Sequence, residues 1–166
     1  MEEPKPRKEI AGLDRDQAIP ADTAAIPEGF SRTDFLTSTP EMVLYEWLNE
    51  RIGIPWSTDL RLLGRVVDKN IVGVIGFCGF TGTACEVHFA GDRPGWLTRS
   101  MLRVAFGYAF RDLEQVMILA RIPSDNVTSY RICRKLGFKL LVTIPGAHPD
   151  GSLYILKMDR EDCEWI

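Results

Sequence analysis

Asn126-Val-Thr-Ser-Tyr-Arg-Ile-Cys-Arg-Lys-Leu-Gly-Phe138 reads as one short helix with a polar start and a glycine stop. Ser124, Asp125 and Asn126 each offer a side-chain oxygen to the free amides of a first helical turn. Gly137 stands where a left-handed C-terminal cap is needed, and Phe138 opens an extended run to Ile144. Upstream lies an apolar strand candidate, Val116 to Ile122. Strand, polar turn, capped helix, glycine and strand make a βαβ-type unit, and that unit sets the class of the fold.

The flanking sequence supplies the other elements. Trp96 to about Arg111 predicts a helix, because Leu97, Met101, Leu102, Val104, Ala105, Tyr108 and Ala109 recur at helical spacing. Gly91-Asp92-Arg93-Pro94-Gly95 separates it from three strands, Leu60–Val67, Ile71–Phe80 and Ala84–Ala90. Turns at Asp68-Lys69-Asn70 and Thr81-Gly82-Thr83 join them. Thr39-Pro40-Glu41 is a helix start, and Met42, Val43, Tyr45, Trp47, Leu48 and Ile52 follow before Gly53 and Pro55 end it. A last hairpin pairs Phe138–Ile144 with Leu153–Met158, its connection punctuated by Pro145-Gly146 and Pro149-Asp150-Gly151. An early meander and late alternation predict an α/β fold of the mixed α+β kind, one mixed sheet with helices on both faces.

A chain of 166 residues is long enough for one domain with its own core. Pro4, Pro6, Pro20 and Pro27 break all periodicity in residues 1–31, which read as an irregular leader to a single domain over residues 32–166. No apolar run reaches the roughly 20 residues that cross a bilayer, so no membrane partner is expected. The charged N-terminus has no apolar core behind it, and a cytoplasmic location is expected. Cys78, Cys85, Cys133 and Cys163 lack CxxC spacing and only two histidines are present, so scattered reduced thiols and no structural metal are expected.

Residues 1–37 hold 5 basic and 8 acidic side chains, and the remainder holds 15 of each, so the leader carries the whole net charge of −3. Residues 93–139 hold 9 basic against 3 acidic side chains. Such a local excess suits an anionic ligand, for example a phosphorylated cofactor, and equally a solvated basic face. Nucleic acid is not expected, because no basic run or nucleic-acid motif is present.

Asn126, Ser129 and Lys135-Leu136-Gly137-Phe138 carry a resemblance to a known family. From about Thr39 to Met158 the chain resembles the GCN5-related N-acetyltransferase (GNAT) superfamily. Gly91-Asp92-Arg93-Pro94-Gly95-Trp96-Leu97-Thr98-Arg99 and the ending Met158 to Trp165 resemble a branch encoded by tailed bacteriophages. The resemblance implies the acyl-CoA N-acyltransferase fold, with a mostly antiparallel central sheet. It implies acetyl-CoA as co-substrate and direct acyl transfer to an amine, on a small molecule or a protein. The phage branch implies host cytoplasm or virion as the location. Homo-oligomer or particle contacts through residues 1–31 would follow from it.

The family's requirements distribute over named residues. The resemblance places the phosphate cradle at Arg93, Gly95, Trp96, Leu97, Thr98 and Arg99, where the free amides of a helix start would bind the anion. In one register Trp96 and Thr98 stand where relatives carry glycines, and in a shifted one Gly91 and Gly95 supply them; Trp96 either stacks on the cofactor, plugs the groove or anchors the helix in the core. A backbone amide at Phe89 or Ala90 would polarise the thioester carbonyl. Glu86 and His88, two apart and so on one sheet face, are the candidate bases, against a reading as a polar stripe. Cys133 replaces the tyrosine acid of many relatives and reads as buried packing; Ser129 and Tyr130 are the candidate acids. Asn126 would hold the cofactor's amide arm, against a plain helix cap. The competing class is an acetyltransferase-fold structural or interaction module without the reaction, a phage particle component or host-directed binding protein.

Overall fold

The computed structural model describes residues 41–68 and 70–166. The leader over residues 1–31 and the helix start at Thr39-Pro40 lie outside the described residues. Helix α1 (Glu41–Ile52) comes first, then strands β1 (Arg61–Val67), β2 (Asn70–Cys78) and β3 (Ala84–Gly91). Helix α2 (Arg99–Gly107) runs on through a π-helical turn, Tyr108–Asp112, to β4 (Met117–Pro123). Helix α3 (Val127–Leu136) and the strands β5 (Lys139–His148) and β6 (Gly151–Asp159) complete the order.

The six strands form one sheet in the order β1-β2-β3-β4-β6-β5. Every neighbouring pair is antiparallel except β3 and β4. β2 is a central strand, and its apolar run is buried on both faces, as a strand covered twice requires. Val74 joins Leu44, Trp47 and Leu48 of α1 in one core. Ile75 and Phe77 join Met101, Leu102, Phe106 and Phe110 from α2 and its π turn, with Cys133 of α3, in the other. Alternation along β2 therefore places α1 on one face and α2 and α3 on the opposite one. This is the mixed sheet with helices on both faces that the element order predicts.

The quoted segment folds as its residues dictate. Asn126 caps α3, its Oδ1 accepting from the Ser129 amide at 3.0 Å. Gly137 ends the helix at φ +106°, a backbone angle that a side chain would strain, and its amide donates toward the Arg134 and Cys133 carbonyls.

Several boundaries differ from expectation, and three of them have a visible physical cause. β2 stops at Cys78 rather than Phe80, because the amides of Gly79 and Phe80 turn to Asp59 Oδ2 at 2.9 and 3.3 Å. α2 begins at Arg99 rather than Trp96, because Thr98 caps it, its Oγ1 accepting from the Met101 amide at 3.2 Å. β5 runs through Pro145 and Gly146 to His148 instead of ending at Ile144. Its register shifts between Ile144 and His148, and an edge strand with such an irregularity tolerates a residue without an N–H.

Candidate functional site

β3 and β4 are bonded over three residue pairs only: Ala84 with Met117, Cys85 with Ile118, and Glu86 with Leu119. Past Glu86, β3 stays on β2 as far as Gly91, and β4 stays on β6 as far as Pro123. Each strand is held on its outer side while the inner bonds stop. The sheet opens there into a fork.

Alternation of backbone direction identifies the groups that face into it. The Thr83 carbonyl accepts from the amides of Val116 and Met117, on the β4 side. The Ala84 carbonyl accepts from Thr81, and the Asp92 amide donates to Val72, both on the β2 side. Odd-numbered residues of β3 therefore turn their backbone groups toward β4, and even-numbered ones toward β2. Beyond Glu86 the Phe89 amide faces the fork, whereas Ala90, paired with Val74, faces β2. Of the two candidate polarising amides, only Phe89's is aimed at the gap. The Phe89 side chain packs with Leu97 against the α2 core.

On the opposite face stand Glu86 and His88, half-buried, with His88 Nε2 3.7 Å from Glu86 Oε2. Arg121 of β4 joins them: its Nη2 lies 2.7 Å from the same Glu86 Oε2. Burial is the main influence on His88 and pushes its pKa below the ordinary 6.5. Glu86 acts in the opposite direction and Arg121 adds to the lowering. The imidazole is thus neutral at pH 7, the state in which it accepts a proton. Arg121 was not among the residues the sequence singled out. The available signal was a lone charge inside the apolar run Met117–Pro123.

Between β3 and α2, Trp96 is 9% exposed and lies over the glycine pair Gly73–Gly91 of β2 and β3. A Cβ on Gly73 would come within 1.9 Å of Trp96 Cε3, and one on Gly91 within 2.0 Å of Nε1. Arg65 of β1 fastens the same loop, its Nη1 donating to the carbonyls of Gly95 and Trp96 at 3.0 and 2.8 Å. Trp96 therefore packs into the core on a floor made by two missing side chains. The cap at Thr98 takes the Met101 amide, and the first-turn amides of Arg99 and Ser100 have no intrahelical acceptor. Arg93 and Arg99 are exposed beside that turn.

At the start of α3, Asn126 is exposed and Ser129 half-buried. Tyr130 sits with its ring centroid 5.1 Å from that of Tyr154 on β6, the strand on the far side of β4 from the fork. Cys133 is 1% exposed, and burial pushes its thiol up to about 12, so it is a packed apolar group and no nucleophile at neutral pH. The fork thus gathers Glu86, His88 and the Phe89 amide. Asn126 and Ser129 stay together at the α3 N-terminus, while Tyr130 is held on the β6 side. Away from the fork, donor atoms of Asp125, His148 and Asp150 lie within 4.8 Å of one another near the β5–β6 turn.

Among solved structures, a chimera of the spermidine N-acetyltransferase SpeG from Vibrio cholerae with hSSAT superposes with a TM-score of 0.61 at 11% identity. The match covers 74% of this chain and 93% of that one. The fold is that of the GNAT acetyltransferases. An acetyltransferase (GNAT family) from Bacillus anthracis matches with a TM-score of 0.54 at 17% identity, over 70% of this chain and 72% of that one. A dodecameric spermidine N-acetyltransferase from Vibrio cholerae gives 0.54 at 14%, over 72% and 74%. No protein-family model and no curated protein matches the sequence. No helix among the described residues is long and apolar enough to cross a membrane.

Proposed function

We propose that the protein is an acetyl-CoA-dependent N-acetyltransferase that moves the acyl group directly to an amine. The fork supports this reading most: it sets an inward-facing backbone amide at Phe89 beside a neutral imidazole at His88. The unpaired inner edge of β3 suits an extended, amide-bearing arm, which is what pantetheine is. The amides of Arg99 and Ser100, with the side chains of Arg93 and Arg99, suit the pyrophosphate. Asn126 caps α3 through Oδ1, which leaves Nδ2 as a donor to the same arm.

In this reading the amine nitrogen attacks the thioester carbonyl, a C–N bond forms and the C–S bond breaks. His88 takes the proton that the amine gives up, and Glu86 orients the imidazole. The Phe89 amide stabilises the charge that develops on the carbonyl oxygen, a role needing no particular side chain. The Ser129 hydroxyl relays a proton from solvent to the departing thiolate. It is favoured over Tyr130 because the Tyr130 ring packs at a tilt against Tyr154 of β6, on the far side of β4 from the fork. The acceptor is an amine on a small molecule or a protein.

Titration calorimetry with acetyl-CoA tests the reading. Binding that Asn126→Ala weakens, with acyl transfer that His88→Gln lowers by ~10²-fold or more, is the expected result. The competing reading, an interaction module with this fold, draws on Trp96 at the usual glycine position and Cys133 at the usual tyrosine. No heat with acetyl-CoA at high protein concentration would refute the acetyltransferase reading.

A further inference from the structure

We propose that Arg121 is a positioning residue: it reaches across the fork and holds Glu86 so that one carboxylate oxygen is shared between its guanidinium and the His88 imidazole. The role assigned to His88 rests on the acetyltransferase reading; the geometry of the three side chains does not.

Three observations carry the inference. The first is place. The last β3–β4 backbone pair is Glu86 with Leu119. In register, Arg121 stands beside His88, where the strands have already parted. Its side chain nevertheless returns to Glu86, at 2.7 Å. This ion pair joins the two prongs just past their last backbone bonds.

The second is the shared atom. Both the 2.7 Å contact from Arg121 and the 3.7 Å contact from His88 fall on Glu86 Oε2. A carboxylate oxygen shared with the guanidinium favours the imidazolium less than one given wholly to the imidazole. Without Arg121, Glu86 would turn wholly to His88 and favour the charged imidazolium, which cannot accept a proton.

The third is the thinness of other charge around His88. Across the β2 pairing His88 faces Gly76, and Glu86 faces Cys78. The Cys78 thiol is pushed up to about 11 by burial first, with Glu86 and Asp59 adding to it, and so is uncharged at neutral pH. On the same face α1 buries Leu44, Trp47 and Leu48, while its Arg51 is bonded to Asp92 and to the Trp47 carbonyl. The pKa of His88 is governed by burial, then Glu86, then Arg121. Removing either charged partner is therefore expected to move His88, the two removals in opposite directions.

The test is a proton–carbon NMR titration of the imidazole ε1 signals in the full chain. His88 and His148 are the only two histidines, so His148→Asn assigns both and His148 serves as the internal reference. Arg121→Gln is expected to raise the His88 midpoint, Glu86→Gln to lower it, and Arg121→Lys, which keeps the charge, to leave it near wild type. The acid limb of the acyl-transfer pH profile should shift in the same sense as each midpoint. An unmoved His88 in Arg121→Gln overturns the proposal, leaving the ion pair as strand bracing only. If Arg121→Gln does not fold, Glu86→Gln and Arg121→Lys decide, and a midpoint that Glu86→Gln fails to lower overturns it. A chain that binds no acetyl-CoA refutes the acetyltransferase reading, yet the titration still reads the Arg121–Glu86–His88 coupling.

Discussion

Replacing Gly91 with alanine should destabilise the domain only while Trp96 is present. The indole lies on the Gly73–Gly91 pair, and a Cβ at position 91 would stand 2.0, 2.1 and 2.3 Å from its Nε1, Cδ1 and Cε2. These separations are far below van der Waals contact, so the ring must lift or the strand must move. Gly91 does not lie at positive φ, so alanine there meets a packing obstacle and no backbone one. Overpacking of this kind costs ~1–3 kcal/mol. At about 4 °C per kcal/mol for a domain of this size, Gly91→Ala should lower Tm by roughly 4–12 °C. Trp96→Ala alone, which empties a site 9% exposed, should cost ~3–5 kcal/mol. With the indole gone the new methyl has room, and Gly91→Ala should become neutral or stabilise by ~0.5 kcal/mol through the lost glycine entropy. The double-mutant cycle therefore carries a coupling of ~1–3 kcal/mol. Urea unfolding of the four proteins, followed by far-ultraviolet circular dichroism, measures it. An equal cost for Gly91→Ala in both backgrounds would refute the packing of Trp96 on the glycine floor.

Other consequences are open to direct measurement. Asn126→Ala should cost about 1 kcal/mol in urea unfolding, because Oδ1 caps the Ser129 amide. Asn126→Asp keeps an accepting oxygen and should unfold like wild type, which separates the cap from any ligand role. Cys85 and Cys133, buried and with thiols pushed up to about 12, should resist a disulfide reagent in the native chain, and all four cysteines should react in guanidinium. Rapid labelling of Cys133 under native conditions would contradict its burial. His88 has a native pKa below its ordinary 6.5, because burial disfavours the cation. Its contribution to stability is thus present above about pH 6.5 and lost as pH falls through the depressed native value. Wild type should therefore lose more unfolding free energy than His88→Gln between neutral pH and that value, and parallel pH curves would count against it.

Local physics made most of the fold legible in the sequence. Asn126 as a cap, Gly137 as a left-handed stop and the alternating or doubly apolar runs of the strands are short-range features, and each appears where its residues place it. The pairing of Glu86 with His88 on one face was equally legible, since it needs only the two-residue period of a strand. The boundaries that moved answer to long-range contacts. Asp59 draws the amides of Gly79 and Phe80 out of the ladder from a distant loop. Trp96 leaves the helix it was expected to begin because two glycines from different strands make room for its ring.

The site divides along the same line. By itself the sequence determined which residue types were available: a neutral-range imidazole, a nearby carboxylate, a helix N-terminus flanked by arginines. Tertiary structure alone decided which of them meet. It ended the β3–β4 ladder at Glu86 and turned the Phe89 amide, not that of Ala90, toward the gap. It also brought Arg121 from another strand onto the same carboxylate oxygen that His88 approaches. Periodicity reports the face on which a side chain lies, whereas the parting of two strands depends on what each is bonded to on its other side. That information is spread over β2 and β6, and no local stretch of sequence contains it.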